Sequence, residues 1–295
     1  MWMLNGGANF APYAFVPLAI LAAASFAWFR RGTGNLMMAV ALPAFVGTAL
    51  MFTNHSHVAT AETCPASTAR LRLMTANVLM SNQQLGALAD DVLRAHPDIV
   101  AFQELHQPLE SFSPELANTY PYSVSTDSPW VTLASRYPLE DAHAVDVPFS
   151  DAARAPVIAT ANVNGERVTV LAIHIMPPLN AAANGLAAEQ YQVLERQVAV
   201  QGDRPLLAIG DFNATPLSPP FAAFLSQARL KLAASGWNLS PTHFPTGHFA
   251  LRIDHVLERG YRVCSEQIIS LTGSDHRAVV VDVARESVVT ANARP

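Results

Sequence analysis

Lysine is nearly missing: Lys231 is the only one in 295 residues, and charged side chains of both signs make up 14% of the chain. Proteins that grip long nucleic acid carry clustered lysine and arginine to displace condensed counterions. Here the arginines are scattered, and the part from Cys64 onward, without Arg30, Arg31 and Glu62, holds 16 basic and 22 acidic residues. Tight nucleic-acid binding is therefore not indicated. Cysteine is scarce as well, and Cys64 and Cys264 leave two readings open, a disulfide or two unrelated thiols. No internal repeat is visible.

Charge is absent altogether from Met1 to Phe29. The apolar stretch 10–29 is long enough to cross a bilayer, Arg30 and Arg31 stop it, and a second apolar stretch follows at 36–53. A secretory signal peptide has its basic residues before the apolar run, and here they come after it. The pair reads as a transmembrane helical hairpin over 1–54, a lipid-bilayer partner followed by a linker at 55–69. With the basic pair in the connecting loop, the positive-inside rule makes this a multi-pass cell-membrane protein whose catalytic part is extracytoplasmic. In an oxidising environment there, the two cysteines are able to pair.

The rest, 70–284 with a short tail at 285–295, reads as one α/β domain. Alternation from Arg70 to Val78 predicts a strand. Ser81 is a candidate N-cap for a helix carrying Leu85, Leu88, Val92 and Leu93, which Pro97 ends. Further strands are expected at 98–103, 130–135, 157–163, 168–173, 205–210, 253–257, 267–271 and 278–283, and a helix at 187–200. Asn164-Gly165 is a hairpin turn signal. A tight hairpin mixed with crossover connections argues for a mixed sandwich over a doubly wound parallel sheet.

Polar residues competent to bind metal recur where these apolar strands end: Asn77, Glu104, Asp211 with Asn213, and Asp275 with His276. One alone reads as a turn former. Together they are oxygen donors from carboxylates and a carboxamide, with no cysteine cluster or run of histidines. That set suits a hard cation, Mg²⁺ or Mn²⁺, which keeps waters and bridges to phosphate; zinc is the less natural ion.

The order of a strand-end Asn77, Gln103-Glu104, a strand-end His174, Gly210-Asp211-Phe212-Asn213, Arg252-Ile253-Asp254-His255 and Ser274-Asp275-His276 resembles the endonuclease/exonuclease/phosphatase superfamily. The likeness is strongest to its bacterial membrane-anchored members and spans about Arg70 to Val283. It implies a four-layered α/β/β/α sandwich with the site at one edge of two packed mixed sheets, and a metal-dependent hydrolase of phosphoric esters. Carried over residue by residue, it makes Glu104 the principal metal ligand, with Asn77, Asp275 and Asp211 around the metal. Asp211 and Asn213 lie near the scissile phosphate, His276 activates the attacking water and Asp254 holds it. His174 donates to the phosphate, although Ile173 stands where the family usually has threonine.

Arg154 and Arg252 read as surface or ion-pair residues, and Trp130 and Trp237 as packing. His243, His248 and His255 lead towards the site and are candidates to line it. The function expected is a phosphodiesterase or phosphomonoesterase whose substrate is an extracellular nucleic acid, a phospholipid head group or a small phosphate ester. The reading from another class is a non-catalytic binding protein on the same fold, which ought to lack a ligand or the histidine.

Overall fold

Strands buried on both faces need cover on both sides, and this chain provides it by stacking two sheets and placing helices outside them. The structure, a computed structural model, describes residues 20, 58–59, 64–65, 69–128, 130–147, 154–234, 240–244 and 250–286.

The first sheet has six strands among the described residues. It is built from β2 (Leu71–Asn77), β3 (Ile99–Gln103), β4 (Tyr122–Ser125), β5 (Val131–Ser135), β12 (Tyr261–Ser270) and β13 (Arg277–Arg285), in the order β12-β13-β2-β3-β5-β4. The second has seven: β1 (Val58–Ala59), β6 (Leu139–Ala144), β7 (Val157–Val163), β8 (Glu166–His174), β9 (Leu206–Asp211), β10 (Lys231–Ala233) and β11 (Asp254–Arg259). Their order is β1-β10-β11-β9-β8-β7-β6. Both sheets are mixed.

Two βαβ units decide where the site lies. In the six-stranded sheet, helix α1 (Leu85–Ala95) carries the chain from β2 to the parallel strand β3 and sets Asn77 opposite Gln103. Two short helices follow, α2 (Leu109–Phe112) and α3 (Pro114–Thr119). In the seven-stranded sheet, α4 (Ala181–Val200) joins β8 to the parallel β9 and sets His174 opposite Asp211. A last helix, α5 (Pro219–Ala228), covers the same face. The antiparallel strands β11 and β13 begin where those parallel strands end, so Asp254 lies opposite Asp211 and Arg277 follows His276 directly. Parallel strands finish at one edge, and antiparallel neighbours start there.

Burial follows this layering. Leu73, Ile99 and Leu133 from one sheet meet Val170, Leu207 and Ile209 from the other in the middle layer. Tyr191, Leu194, Phe221 and Phe224 of the helices pack with Leu171 and Phe212 outside the seven-stranded sheet. Leu88, Val92 and Leu116 do the same with Met74 and Phe102 outside the other. Each fully buried large aliphatic or aromatic side chain contributes about 1.5–3 kcal/mol. Two packed mixed sheets with flanking helices bear out the expected sandwich class.

Some expectations change. Helix α1 starts at Leu85 with Gln84 as N-cap, not at Ser81. The reason is Asn82, whose Oδ1 accepts the Gln84 N–H at 2.8 Å while its amide donates to Val78 and Thr272 carbonyls, so residues 81–84 form a turn. Helix α4 begins at Ala181, well before the expected Ala187, because Asn180 caps it by accepting the Ala183 N–H at 3.0 Å. Ala181 to Gly185 are too small and uniform to show a periodic face. The hairpin turn is where it was expected, with Asn164 and Gly165 at φ +54° and +90°. Cys64 and Cys264 form a disulfide, Cα atoms 5.3 Å apart, which ties the segment before β2 to β12.

The multi-pass membrane placement is corrected: among the described residues no helix is long and apolar enough to cross a membrane. The longest of them, α4, carries Glu189, Glu195 and Arg196 on a helix with only one buried face. The apolar stretches at 10–29 and 36–53 lie, Ile20 apart, outside the described residues.

Candidate active site

Asn77 ends β2 with its side chain 1% exposed, and its amide nitrogen donates to Glu104 Oε1 at 3.2 Å and to Asp211 Oδ2 at 3.1 Å. It therefore bridges a carboxylate of each sheet, using a neutral donor between two anions. Glu104 leaves β3 in a left-handed conformation, φ +64°, and its Oε2 accepts the Met80 N–H at 3.0 Å. Such a φ is uncommon outside glycine and asparagine and is tolerated where surroundings enforce it.

Asp211 is the last residue of β9, and its Oδ1 accepts the Asn213 N–H at 2.8 Å. The preceding Gly210 is required sterically: a Cβ there would lie 2.0 Å from the Ile173 carbonyl oxygen. Asn213 takes a left-handed turn, φ +47°, and donates one amide hydrogen to the Ile175 carbonyl at 2.8 Å. Asp254 and His276 come from different sheets, and His276 Nδ1 donates to Asp254 Oδ2 at 2.9 Å. Ser274 fixes the loop, donating from Oγ to the Asn77 carbonyl at 2.8 Å and accepting the His276 N–H at 3.0 Å. His276 Nε2 points at Asp211, 3.9 Å from Oδ2.

His174 ends β8, 2% exposed, with Nε2 3.6 Å from Asp211 Oδ2 and 3.8 Å from Glu104 Oε1. Arg154 donates to this nitrogen at 2.7 Å. Burial first, and then the charge of Arg154, push the imidazole well below its ordinary pKa, so it is neutral and Nε2 is the acceptor. The Arg154 guanidinium also lies over the Trp130 ring, 4.6 Å from its centroid, and Trp130 stacks on His174 at 5.8 Å.

The structure brings Asn77, Glu104, His174, Asp211, Asn213, Asp254 and His276 together in one connected cluster, with His174 Nε2 accepting from Arg154 where the resemblance implies a donor to phosphate. Asp275 is adjacent, but its side chain pairs with His243, whose Nε2 lies 3.5 Å from Oδ2. Arg154, expected as a surface or ion-pair residue, and Trp130, expected as packing, enclose His174. A signal for Arg154 was present: with the turn at Asn164-Gly165, the residue ten before it comes opposite the residue ten after it, beside the strand end at His174. Arg252 is the buried ion-pair residue it was read as, pairing with Glu266. His255 is structural, with Nε2 2.9 Å from the Ala214 carbonyl, and burial pushes it down to about 3. His248 and Trp237 lie outside the described residues.

The electrostatics fit a cation. Burial and the neighbouring Asp254 raise Asp211 to about 7. Burial opposes charge on His276, but the charge and hydrogen bond of Asp254, with Asp211 and Asp275, outweigh it and raise it to about 10. The Oδ1 atoms of Asp254 and Asp275 are buried without a hydrogen-bond partner among the described residues. Unpaired buried carboxylate oxygens are costly, and a divalent ion is the partner that removes the cost.

Among solved structures, sphingomyelinase C from Streptomyces griseocarneus is similar at 20% identity and TM-score 0.54, over 73% of this chain and 99% of that one. The 3′ phosphatase NExo from Neisseria, bound to a product DNA hairpin, gives 19% and 0.58, over 72% and 98%. An endonuclease/exonuclease/phosphatase from Bacteroides vulgatus gives 17% and 0.59, over 74% and 100%. At these identities the likeness is one of fold. No curated protein matches the sequence. Residues 74–276 match the endonuclease/exonuclease/phosphatase family, a stretch that runs from within β2 to His276, and the chain therefore belongs to that family of metal-dependent hydrolases acting on phosphoric ester bonds.

Proposed function

We propose that the chain hydrolyses a phosphodiester or phosphomonoester by in-line attack of a water that His276 deprotonates. The observation that carries this reading is the 2.9 Å bond from His276 Nδ1 to Asp254 Oδ2, made across the two sheets. It orients the ring with Nε2 facing Asp211, and that nitrogen is free to take a proton once a bound cation offsets the carboxylates that raise the imidazole to about 10. Glu104, Asn77, Asp211 and Asp275 would hold Mg²⁺ or Mn²⁺. When bound, the ion polarises the phosphoryl group, stabilises the leaving oxygen and offsets the carboxylates' charge.

The chain's own residues do the rest. Asp254 keeps the imidazole oriented and stabilises its charge once protonated. Arg154, held by Trp130 and His174, brings a guanidinium to the equatorial phosphate oxygens. Asn213 has a second amide hydrogen for a phosphate oxygen. Asp211 positions the nucleophile. The catalytic domain spans 70–284, extended by β1 from the segment 55–69 and by Arg285 at the end of β13, and its layers follow the family's α/β/β/α order.

One neighbour is named for sphingomyelin and another was captured on DNA. For this chain, a single lysine and scattered arginines favour a small or head-group phosphoester over long nucleic acid. The test is hydrolysis by the purified chain with Mg²⁺ or Mn²⁺ of sphingomyelin, phosphoinositides, plasmid DNA, RNA and a bis-aryl phosphodiester. Activity on one of these that is lost in Glu104→Gln and His276→Ala is the expected result. Activity unchanged in both variants, or absent on all substrates, overturns the reading.

A further inference from the structure

His243 is an imidazole beside the cleft that neither His276's proton chemistry nor the Arg154 pair employs. Its position is fixed by backbone on two sides. The short segment at 242–244 pairs with Leu251 through Thr242, His243 and Leu251 N–H groups at 2.8–2.9 Å. On the other side it pairs with the loop before β13, through Phe244 N–H to the Asp275 carbonyl at 3.0 Å and an Arg277 N–H to the Thr242 carbonyl at 2.6 Å. Thr242 Oγ1 also accepts the Ile253 and Asp254 N–H groups at 3.0 and 3.1 Å. The His243 ring is thereby stacked on His276, centroids 4.3 Å apart.

The contacts of this ring are unusual for a merely packed histidine. His243 Nε2 lies 3.5 Å from Asp275 Oδ2, while Asp275 Oδ1 and His243 Nδ1 are buried without hydrogen-bond partners among the described residues. Two ligand atoms held about 2.0–2.2 Å from one tetrahedral ion sit roughly 3.3–3.6 Å apart. The pair thus has the separation of neighbouring ligands. A ligand atom of His276 also lies within 4.8 Å of both, but that ring belongs to the proton-transfer pair and is not counted as a ligand.

We propose that His243 and Asp275 form a second metal position, with one nitrogen and one oxygen ligand, selective for a zinc-class ion such as Zn²⁺ or Co²⁺ over Mg²⁺. It rests on the phosphoesterase reading for its purpose but not for its geometry. Imidazole is a favoured ligand of zinc, cobalt and nickel and a poor one for magnesium, which demands oxygen donors in octahedral array. The remaining coordination positions are left for water and a phosphate oxygen. His276 Nδ1 stays with Asp254, so the proton-transfer pair is intact. Asp275 is shared with the hard cation's oxygen set of Glu104, Asn77 and Asp211, and His243 is the ligand that belongs to the second position alone.

The test is titration of the metal-free full chain with Co²⁺, read as visible d–d absorption, together with calorimetry for Zn²⁺ and Mg²⁺. The expected result is a tetrahedral Co²⁺ spectrum, lost in His243→Phe and Asp275→Asn and kept in Glu104→Gln, with Zn²⁺ binding at least tenfold weaker in His243→Phe. Phenylalanine keeps a ring to stack on His276, and His243→Gln, judged folded by an unchanged melting temperature, serves as the second variant. A Co²⁺ spectrum that survives in both His243 variants, or that disappears in Glu104→Gln, overturns the second position. Neither result touches the phosphoesterase reading, which fails separately if no phosphoester is hydrolysed.

Discussion

The two sheets contribute opposite halves of the cleft by different means. The seven-stranded sheet supplies His174, Asp211 and Asp254 from within strands, all 1–2% exposed. The six-stranded sheet supplies Glu104 and Asp275 from loops beyond its strands, with side chains 19% and 38% exposed. A carboxylate inside a ladder has its position set by backbone pairing but is stripped of water, and Asp211 is raised to about 7 as a result. A carboxylate on a loop keeps contact with water and leaves space for an ion with its waters. The buried half thus sets geometry and proton placement, and the open half sets metal affinity. His276 and Asn77 are the stitches between them.

The strongest way to break this division is to cut the stitch. His276→Ala should lower kcat/KM by roughly 10²–10⁴, the usual worth of a positioned general base. Asp254→Asn should fall almost as far, and the double variant no further, because the two act as one unit. Steady-state kinetics on whichever substrate the panel identifies would check it; losses that multiply in the double variant contradict the unit.

A variant in the open half should behave otherwise. Glu104→Gln keeps the size and the hydrogen-bonding reach but removes the charge, so metal should bind about 10–100-fold more weakly or worse, since loss of even an outer partner of a ligand costs that much. Part of the lost activity should return at high Mg²⁺ or Mn²⁺, whereas Asp254→Asn should gain nothing from added metal. Metal titrations of both variants decide the matter, and equal rescue would erase the distinction between halves.

Arg154→Lys should show a smaller effect. The charge is kept, but the planar fork that reaches His174 while lying over Trp130 is lost. A decrease in kcat of about tenfold, or about 1.4 kcal/mol, is expected with little change in KM. No change in kcat would return Arg154 to a surface or ion-pair residue, the reading that its sequence gives.

How much of this was legible depends on which kind of residue is asked about. Strand-terminal Asn77, Glu104, Asp211 and His276 were readable because period-two apolar runs locate strand ends, and polar residues there have few other reasons to recur. Asp254 was readable because an aspartate inside an apolar strand needs a partner. Trp130 was not, and His243 was readable only as a candidate to line the cleft, since their roles come from what faces them across the two sheets, and no local pattern carries that. The edge strands β4 and β6, and the short β10 next to an edge, escaped for a related reason. Tyr122–Ser125 and Leu139–Ala144 are half exposed, and their pairing is set by neighbours more than by their own alternation. Cys64 and Cys264 were legible only as two open readings; the chain path that brings them together is a property of the whole fold.

The smallest predicted effect tests the burial argument away from the chemistry. Glu258 lies in β11, the strand that begins with Asp254, and is 2% exposed, with Oε2 accepting the Tyr261 N–H at 3.1 Å. Burial raises its pKa from 4.5 to about 7, opposed by that backbone hydrogen bond. Because the folded pKa is the higher one, the folded state holds the proton more tightly. The stabilisation is complete below pH 4.5 and is lost as pH rises through about 7. The loss amounts to about 1–3 kcal/mol. Glu258→Gln keeps an acceptor for Tyr261 and has nothing to titrate, so its stability between pH 4.5 and 8 should be the flatter of the two in denaturant melts. Parallel curves for wild type and variant would mean that this sheet accommodates a carboxylate at no electrostatic cost, and the explanation given for Asp211 would then have to rest on Asp254 alone.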